Sequence, residues 1–159
     1  MTPHPRTNPE GHSYGEENGG GEGVHPLTVD GWAANETYLF GVDLYNYAYW
    51  WEAHEQWELL WRMECRGSEI ALFLRGLIQA SASVLKLHQG NRRGSGQLFR
   101  RCQGNLLDGA GGRERHLGIA VRSFIEHLAR NREIQGNPST GAAPAPPLIE
   151  LRPSPGARL

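Results

Sequence analysis

The sequence predicts an all-α domain, a compact array of four to five helices with an antiparallel helix pair at its centre. Apolar residues recur at helical spacing through the middle of the chain, glycine-containing breaks separate these stretches, and no alternating pattern typical of strands competes with them. The 159 residues are an ordinary length for one domain. The 21 glycines and 10 prolines concentrate toward the two ends, so we expect the helices to lie between them.

The two ends of the chain have the composition of disordered segments. Residues 1–28 combine glycine with small and acidic residues and hold few apolar side chains, and residues 136–159 are rich in proline. We therefore expect a helical domain over residues 29–135, flanked by a disordered arm and a disordered tail. Leu148, Ile149 and Leu151 would still allow part of the tail to lie in a groove.

Three helices are predicted in the first part of the domain. The first runs from Asn35 or Glu36 to Asn46, and the second from about Tyr49 to Glu64. The third follows Ser68, a good N-cap, and ends before the Gly90-Asn91 turn. We expect the second and third helices to form the central pair, with the second innermost.

Two further helices are predicted after that turn. Leu98, Phe99, Cys102 and Leu106 share one side of a fourth, which Gly104 weakens. The glycines at 109–112 break the chain. A last amphipathic helix is predicted from about residue 113 to residue 132, with an apolar stripe that runs to Leu128.

Composition argues against several classes of partner and location. The formal net charge is −1, which supplies no field for nucleic acid or an anionic membrane. No apolar run approaches the roughly 20 residues of a membrane span, and the first residues lack an apolar signal core. We therefore expect a cytoplasmic protein. Cys65 and Cys102 are too few for a disulfide framework and are expected to be reduced and buried.

The second helix holds the most unusual chemistry. Residues 49–62 contain four of the five tryptophans, one histidine and three glutamates. At about 100° per residue, one face of a helix collects a set of five side chains: Trp51, His54, Glu58, Trp61 and Cys65. Trp57 flanks this face on one side and Glu55 on the other, while Glu52 and Gln56 point nearly opposite. His54 and Glu58 are thus expected one turn apart within the apolar face.

Three interpretations of this pair stay open. His54 and Glu58 could form a buried polar network that fixes one packing arrangement. They could bind a divalent metal with a third ligand from His88, Asp43 or His116, although Glu58 stands where a zinc-protease helix has its second histidine. They could also line a ligand or catalytic pocket, in which carboxylates prepare His54 for proton transfer.

Three stretches of sequence together resemble a known family: Gly41-Val42-Asp43-Leu44-Tyr45-Asn46, Trp51-Glu52-Ala53-His54-Glu55-Gln56-Trp57-Glu58 with Trp61-Arg62, and Phe73-Leu74-Arg75-Gly76-Leu77-Ile78-Gln79-Ala80. They are similar to the domain-of-unknown-function family number three hundred and nine, over roughly residues 36–107. The resemblance implies a small helical domain and supplies no reaction. Such proteins often have a glycine before the histidine helix, where this chain has Asn46-Tyr47-Ala48-Tyr49, so one bent helix is an alternative to two.

The same motif suggests partners for the carboxylates. Gly76 would let the third helix approach the second, so that Gln79 could bond Glu55 or Glu58. Arg62 and Arg75 could neutralise the glutamates. We interpret residues 92–96, Arg-Arg-Gly-Ser-Gly, as a solvated basic loop.

Two classes of function follow from these residues. The first is a binding or scaffold module with a His/Glu/Trp polar network. The second is a small enzyme or a metal- or ligand-binding protein that uses His54 with Glu55 and Glu58. The partner would be a protein or a small molecule, and the only cofactor suggested is a divalent metal.

Overall fold

The computed structural model describes residues 23–135 and 147–153, and this part of the chain is mostly helical. It contains five α-helices: α1 (Glu36–Asn46), α2 (Trp50–Trp61), α3 (Glu69–His88), α4 (Arg92–Ala110) and α5 (Val121–Gln135). A short 3-10 helix (Trp32–Ala34) precedes α1, and two strands, β1 (Arg115–His116) and β2 (Ile119–Ala120), precede α5. The predicted all-α class is confirmed.

Side-chain caps explain where three helices begin. The side chain of Asn35 accepts a hydrogen bond from the backbone N–H of Tyr38, and Ser68 accepts one from Ala71, as its N-cap position predicts. Asn91 caps α4 in the same way through Gly94. The stretch predicted as a basic loop is therefore the first turn of a helix. Gly104 does not interrupt α4, which runs to Ala110.

The chain breaks between α1 and α2, so the single bent helix is excluded. Ala48 lies in the left-handed region with φ +67°, which favours glycine, and it reverses the chain between Tyr47 and Tyr49. The backbone N–H of Tyr49 donates to the carbonyl of Leu44 across this turn, at 2.8 Å. Alanine therefore adopts the left-handed conformation in this turn, where the resemblance led us to expect a glycine.

The most extensive helix contact is between α3 and α4, whereas α2 and α3 were predicted to form the central pair. A Cβ at Gly76 of α3 would lie 2.7 Å from the side chain of Leu106, and a Cβ at Gly109 of α4 would lie 2.5 Å from the backbone nitrogen of Phe73. The two helices run antiparallel, because early residues of α3 meet late residues of α4. The prediction that α2 is innermost is also wrong: α3 lies between α2 and α4 and buries ten residues.

The start of the last helix was predicted too early. α5 begins at Val121, and residues 115–120 form a small antiparallel hairpin in which Arg115 pairs with Ala120. The turn residues Leu117 and Gly118 both have positive φ, 46° and 80°, as in the tight turns that connect paired strands. Tyr38 donates a hydrogen bond to the carbonyl of Leu117 at 2.8 Å. Strands of two residues are too short to leave a period in the sequence.

Parts of both predicted terminal segments belong to the folded domain. Leu27 is 2% exposed, and Ile149 is 4% exposed in the same core. The rest of the predicted arm (1–22) and tail (136–146 and 154–159) lies outside the described residues. Of the two free cysteines, Cys102 is buried as expected, whereas Cys65 is exposed.

One described helix, α3, is long and apolar enough to cross a membrane by length and composition, so the prediction that no apolar run approaches that length is wrong. Its mean hydropathy reaches 1.5, and 61% of that stretch is buried inside the domain. A central core helix has the same composition. The cytoplasmic location stays a prediction.

Candidate functional site

α2 is held in the fold by its inner face. Trp50, Ala53, Trp57 and Leu60 are buried there, and Trp57 is completely enclosed. Its indole N–H donates to the carbonyl of Tyr38 at 3.4 Å. A Cβ at Gly41 of α1 would overlap the indole ring of Trp57, so this glycine makes room for the tryptophan.

The predicted apolar face of α2 is in fact its outer face. Trp51 is 54% exposed, Cys65 is exposed, and the side chains of His54 and Glu58 are 21% and 31% exposed. Both faces of the helix carry tryptophans, so hydrophobicity alone could not distinguish them. The fit of Trp57 against Gly41 decides which face turns inward. Glu52, placed on the polar side by the sequence, is buried.

Four side chains form a connected row along the outer face, which we call the outer row: Trp51, His54, Glu58 and Arg62. The rings of Trp51 and His54 lie 5.1 Å apart between centroids with an interplanar angle of 35°. Nε2 of His54 is 3.3 Å from Oε1 of Glu58, and Nη2 of Arg62 donates to Oε2 of the same carboxylate at 3.1 Å. The two oxygens of Glu58 thus connect the histidine to the arginine, and the predicted neutralisation by Arg62 is present.

The row does not assemble a set of metal ligands. In residues 23–135 and 147–153, no group of three or more histidine, cysteine, aspartate or glutamate side chains converges on one point. Two of the proposed third ligands have other neighbours. His88 lies against the ring of Trp50 at 4.4 Å, and His116 contacts the ring of Phe73 edge-on at 4.8 Å. The metal interpretation of His54 and Glu58 therefore lacks its third ligand here.

An open cleft of about 280 Å³ lies beside the end of α2. Trp61, Ala71 and Leu72 supply its apolar walls, and Arg66 and Arg75 stand at its edge. Both arginines are exposed, and neither makes an ion pair with a carboxylate of the described residues. We call this feature the Trp61 cleft. Arg75 therefore does not neutralise Glu55 or Glu58 as predicted.

Gln79 and Gly76 both lie in the contact between α3 and α4. Oε1 of Gln79 accepts a hydrogen bond from Nδ2 of Asn105 in α4 at 2.8 Å. The prediction that Gln79 bonds a glutamate of α2 is wrong, because Gly76 brings α3 close to Leu106 of α4. Glu55 is half-buried beside the outer row and makes no ion pair with other residues in the described ranges.

Five buried side-chain nitrogen and oxygen atoms in the described part of the chain have no hydrogen-bond partner. One is Nδ1 of His54 in the outer row, and the other four lie elsewhere: Oη of Tyr45, Nε1 of Trp50 and both ring nitrogens of His116. Burial lowers the pKa of His116 below its ordinary value, the charge of Arg113 lowers it further, and Glu69 opposes this. Burial likewise lowers the pKa of His88 and raises that of Tyr45 well above its usual value. The sequence suggested His88 and His116 only as possible metal ligands, and it did not indicate Tyr45; the burial of all three is visible only in the fold.

The family described as Domain of unknown function (DUF309) matches residues 38–98. This part of the chain is similar to that family, as its motifs led us to expect. The matched part begins in α1, contains all of α2 and α3 and ends in α4, so it includes both the outer row and the Trp61 cleft. The hairpin, α5 and residues 147–153 lie outside the match to the DUF309 family. No curated protein matches the chain.

Proposed function

We propose that the helical domain of this chain is a protein-binding module that uses the outer row of α2 together with the adjoining Trp61 cleft. The observation that carries this proposal is the position of Trp51. Trp51 is 54% exposed, yet its ring lies against His54. His54 contacts Glu58, which Arg62 holds in turn. An exposed tryptophan with a supported neighbour has little side-chain freedom to lose when a partner covers it.

The composition of this surface suits a protein partner. Tryptophan and arginine are the residue types that most often dominate binding energy at protein interfaces. Trp51 and Trp61 belong to α2, Arg62 follows it directly, and Arg75 of α3 lines the same cleft as Trp61. Exposed Met63, 46% accessible, continues the apolar surface just after α2.

The charges indicate which partner chemistry fits. Arg62 already pairs with Glu58, but Arg66 and Arg75 have no carboxylate partner among the described residues. Their guanidinium groups flank an apolar cleft, which fits an apolar side chain next to an aspartate or glutamate. We therefore expect the partner to present a short acidic segment with an aliphatic or aromatic residue.

Selection from a displayed library of random peptides on the full chain tests the proposal. Enriched peptides should pair an acidic residue with an apolar one. A selected peptide should then lose about 30-fold or more in affinity for the Trp51→Ala variant, since a central tryptophan in an interface commonly contributes 2 kcal/mol or more. Arg75→Ala should weaken binding mainly at low salt.

A matched control is available on α4. Arg101 is exposed and lies on a helix outside the Trp61 cleft, so Arg101→Ala removes the same charge elsewhere. Binding that responds equally to Arg75→Ala and Arg101→Ala would reflect net charge alone. Peptides that bind the Trp51→Ala variant as tightly as the original chain would refute the proposed surface.

A further inference from the structure

Arg132 of α5 lies across the first turns of α4, where neutral groups hold its guanidinium group. Its Nη1 donates to the carbonyl of Ser95 at 3.2 Å, and its Cζ lies 5.1 Å from the centre of the Phe99 ring. The carbonyl of Ser95 also accepts a hydrogen bond from the hydroxyl of Ser83 in α3, at 2.9 Å. Gly96 makes room for this arrangement, because a Cβ there would lie 3.1 Å from Nη2 of Arg132. The fold therefore holds the guanidinium group of Arg132 in place.

Two further arginines flank this guanidinium group. Arg92, Gly96 and Arg100 follow one another on successive turns of α4, because they are four residues apart. Side chains on successive turns begin about 5–6 Å apart, so Arg92 and Arg100 start on either side of Arg132. Partial burial lowers the pKa of Arg132 below its ordinary value, and the charges of Arg100 and Arg92 lower it further. The three side chains thus form one positive surface, which we call the Arg132 patch: Arg92, Arg100 and Arg132.

Arg100 and Arg132 have no acidic counter-charge in the described part of the chain. Neither forms an ion pair with a carboxylate of residues 23–135 or 147–153. Between Glu69 and Asp108 the chain has five arginines and one lysine but no aspartate or glutamate. Guanidinium groups that lie together repel one another, and a bound anion offsets this repulsion. Arg92 also begins α4, at the end of the helix whose dipole favours negative charge.

We propose that the Arg132 patch binds a small molecule through two or more phosphate groups. The planar guanidinium group of arginine has paired N–H donors that match the oxygens of a phosphate. Arg92 and Arg100 are about 12 Å apart along the helix axis, with Arg132 between them, so neighbouring phosphates can contact different arginines. The stretch 92–96, interpreted from the sequence as a solvated basic loop, thus supplies part of a binding site. The patch and the Trp61 cleft lie at opposite ends of the α3–α4 pair, so either proposal can fail alone.

Isothermal titration calorimetry of the full chain with inorganic triphosphate tests the site, because this probe presents phosphates and nothing else. The expected result is saturable binding of one triphosphate per chain. Arg100→Gln should weaken this binding by about fivefold or more, since a contact between opposite charges is lost. Arg132→Gln should weaken it further, because this arginine is already held in position before the ligand arrives. Arg100 is exposed, so Arg100→Gln decides the result even if the Arg132→Gln variant does not fold.

A titration with adenosine triphosphate distinguishes two sources of the phosphates. Equal affinity for adenosine triphosphate and inorganic triphosphate would support recognition of phosphates alone. Tighter binding of adenosine triphosphate, weakened in the same way by Arg100→Gln, would support a nucleotide as the ligand.

Arg130→Gln is the matched control, since Arg130 is an exposed arginine of the same helix as Arg132. It precedes Arg132 by two residues and points about 160° away around the helix, so this variant loses the same charge elsewhere and should bind triphosphate unchanged. The proposal is overturned if triphosphate does not bind, or if Arg130→Gln weakens binding as much as Arg100→Gln does. It is equally overturned if a short glutamate peptide or a short single-stranded RNA binds more tightly than triphosphate.

Discussion

Adding one methyl group to Gly109 should force α3 and α4 apart. An alanine Cβ there would lie 2.5 Å from the backbone nitrogen of Phe73 and 2.8 Å from the carbonyl oxygen of Glu69. Both atoms belong to the main chain of α3, so no side chain can turn aside to relieve the overlap. Gly104 on the same helix is the matched control, because a Cβ there would meet no atom within 4 Å.

Gly104→Ala and Gly109→Ala differ mainly in how the added methyl group packs against the rest of the fold. Each replaces a glycine in α4 and gains at most about 1 kcal/mol of helix propensity, less at Gly109 because it is in the last turn. Gly104→Ala should therefore raise the free energy of unfolding by about 0.5–1 kcal/mol. Overpacking of a tight core contact costs about 1–3 kcal/mol or more, and contact with rigid backbone places Gly109→Ala at the upper end. We expect the two variants to differ by about 3 kcal/mol or more.

Urea unfolding followed by circular dichroism measures this difference directly. The midpoint should rise for Gly104→Ala and fall for Gly109→Ala, while the slope stays the same for both. The reasoning would be refuted if the two alanines shifted the midpoint in the same direction by similar amounts. That result would mean that α3 and α4 are not in close contact at Gly109.

Two further predictions concern buried polar groups. Tyr38→Phe should lower the free energy of unfolding by about 1–2 kcal/mol, because the carbonyl of Leu117 loses its hydrogen-bond donor. Tyr45→Phe should be neutral or stabilising, because the hydroxyl of Tyr45 is buried without a partner. Equal urea midpoints for the two variants would contradict this prediction. The lowered pKa of His116 means that the folded state resists its protonation, so its contribution to stability is complete above the ordinary histidine pKa of about 6.5 and is lost as the pH falls below it. When the pH falls from about 7.5 to about 5.5, the His116→Leu variant should therefore lose less free energy of unfolding than the original chain. Urea unfolding at the two pH values measures both losses. Equal losses would show that His116 does not cause the loss of stability in acid.

Most helix boundaries could be predicted from the sequence because local chemistry sets them. Ser68 caps α3, and Asn35 precedes α1, where their side chains satisfy backbone donors of the first turn. The hairpin at residues 115–120 was missed because its strands are two residues long and its turn is Leu117-Gly118 rather than a strong turn pair. A helical period that includes Leu117 and Ala120 continued through it by coincidence.

The sequence located the candidate site on α2 but predicted the wrong face of that helix to be buried. Trp50 and Trp57 compete with Trp51 and Trp61 for the core, and the choice depends on Gly41, which lies on a different helix. The same limit applies to Gln79 and Gly76, whose partners are on α4. The contact of Ile149 with Asn46 joins residues that are 103 positions apart, which no local pattern can reveal.

Because α3 is synthesised before α4, one apolar side of α3 stays uncovered until α4 has been made. Its apolar surface, with a mean hydropathy of 1.5, is covered on one side by α4, which follows it in the chain. At about 5–20 residues per second, Ala110 is made on the order of seconds after His88. During that interval the side of α3 that α4 later covers has no partner in the nascent chain. Substitutions that delay the docking of α4 should therefore reduce the yield of folded protein more than its final stability.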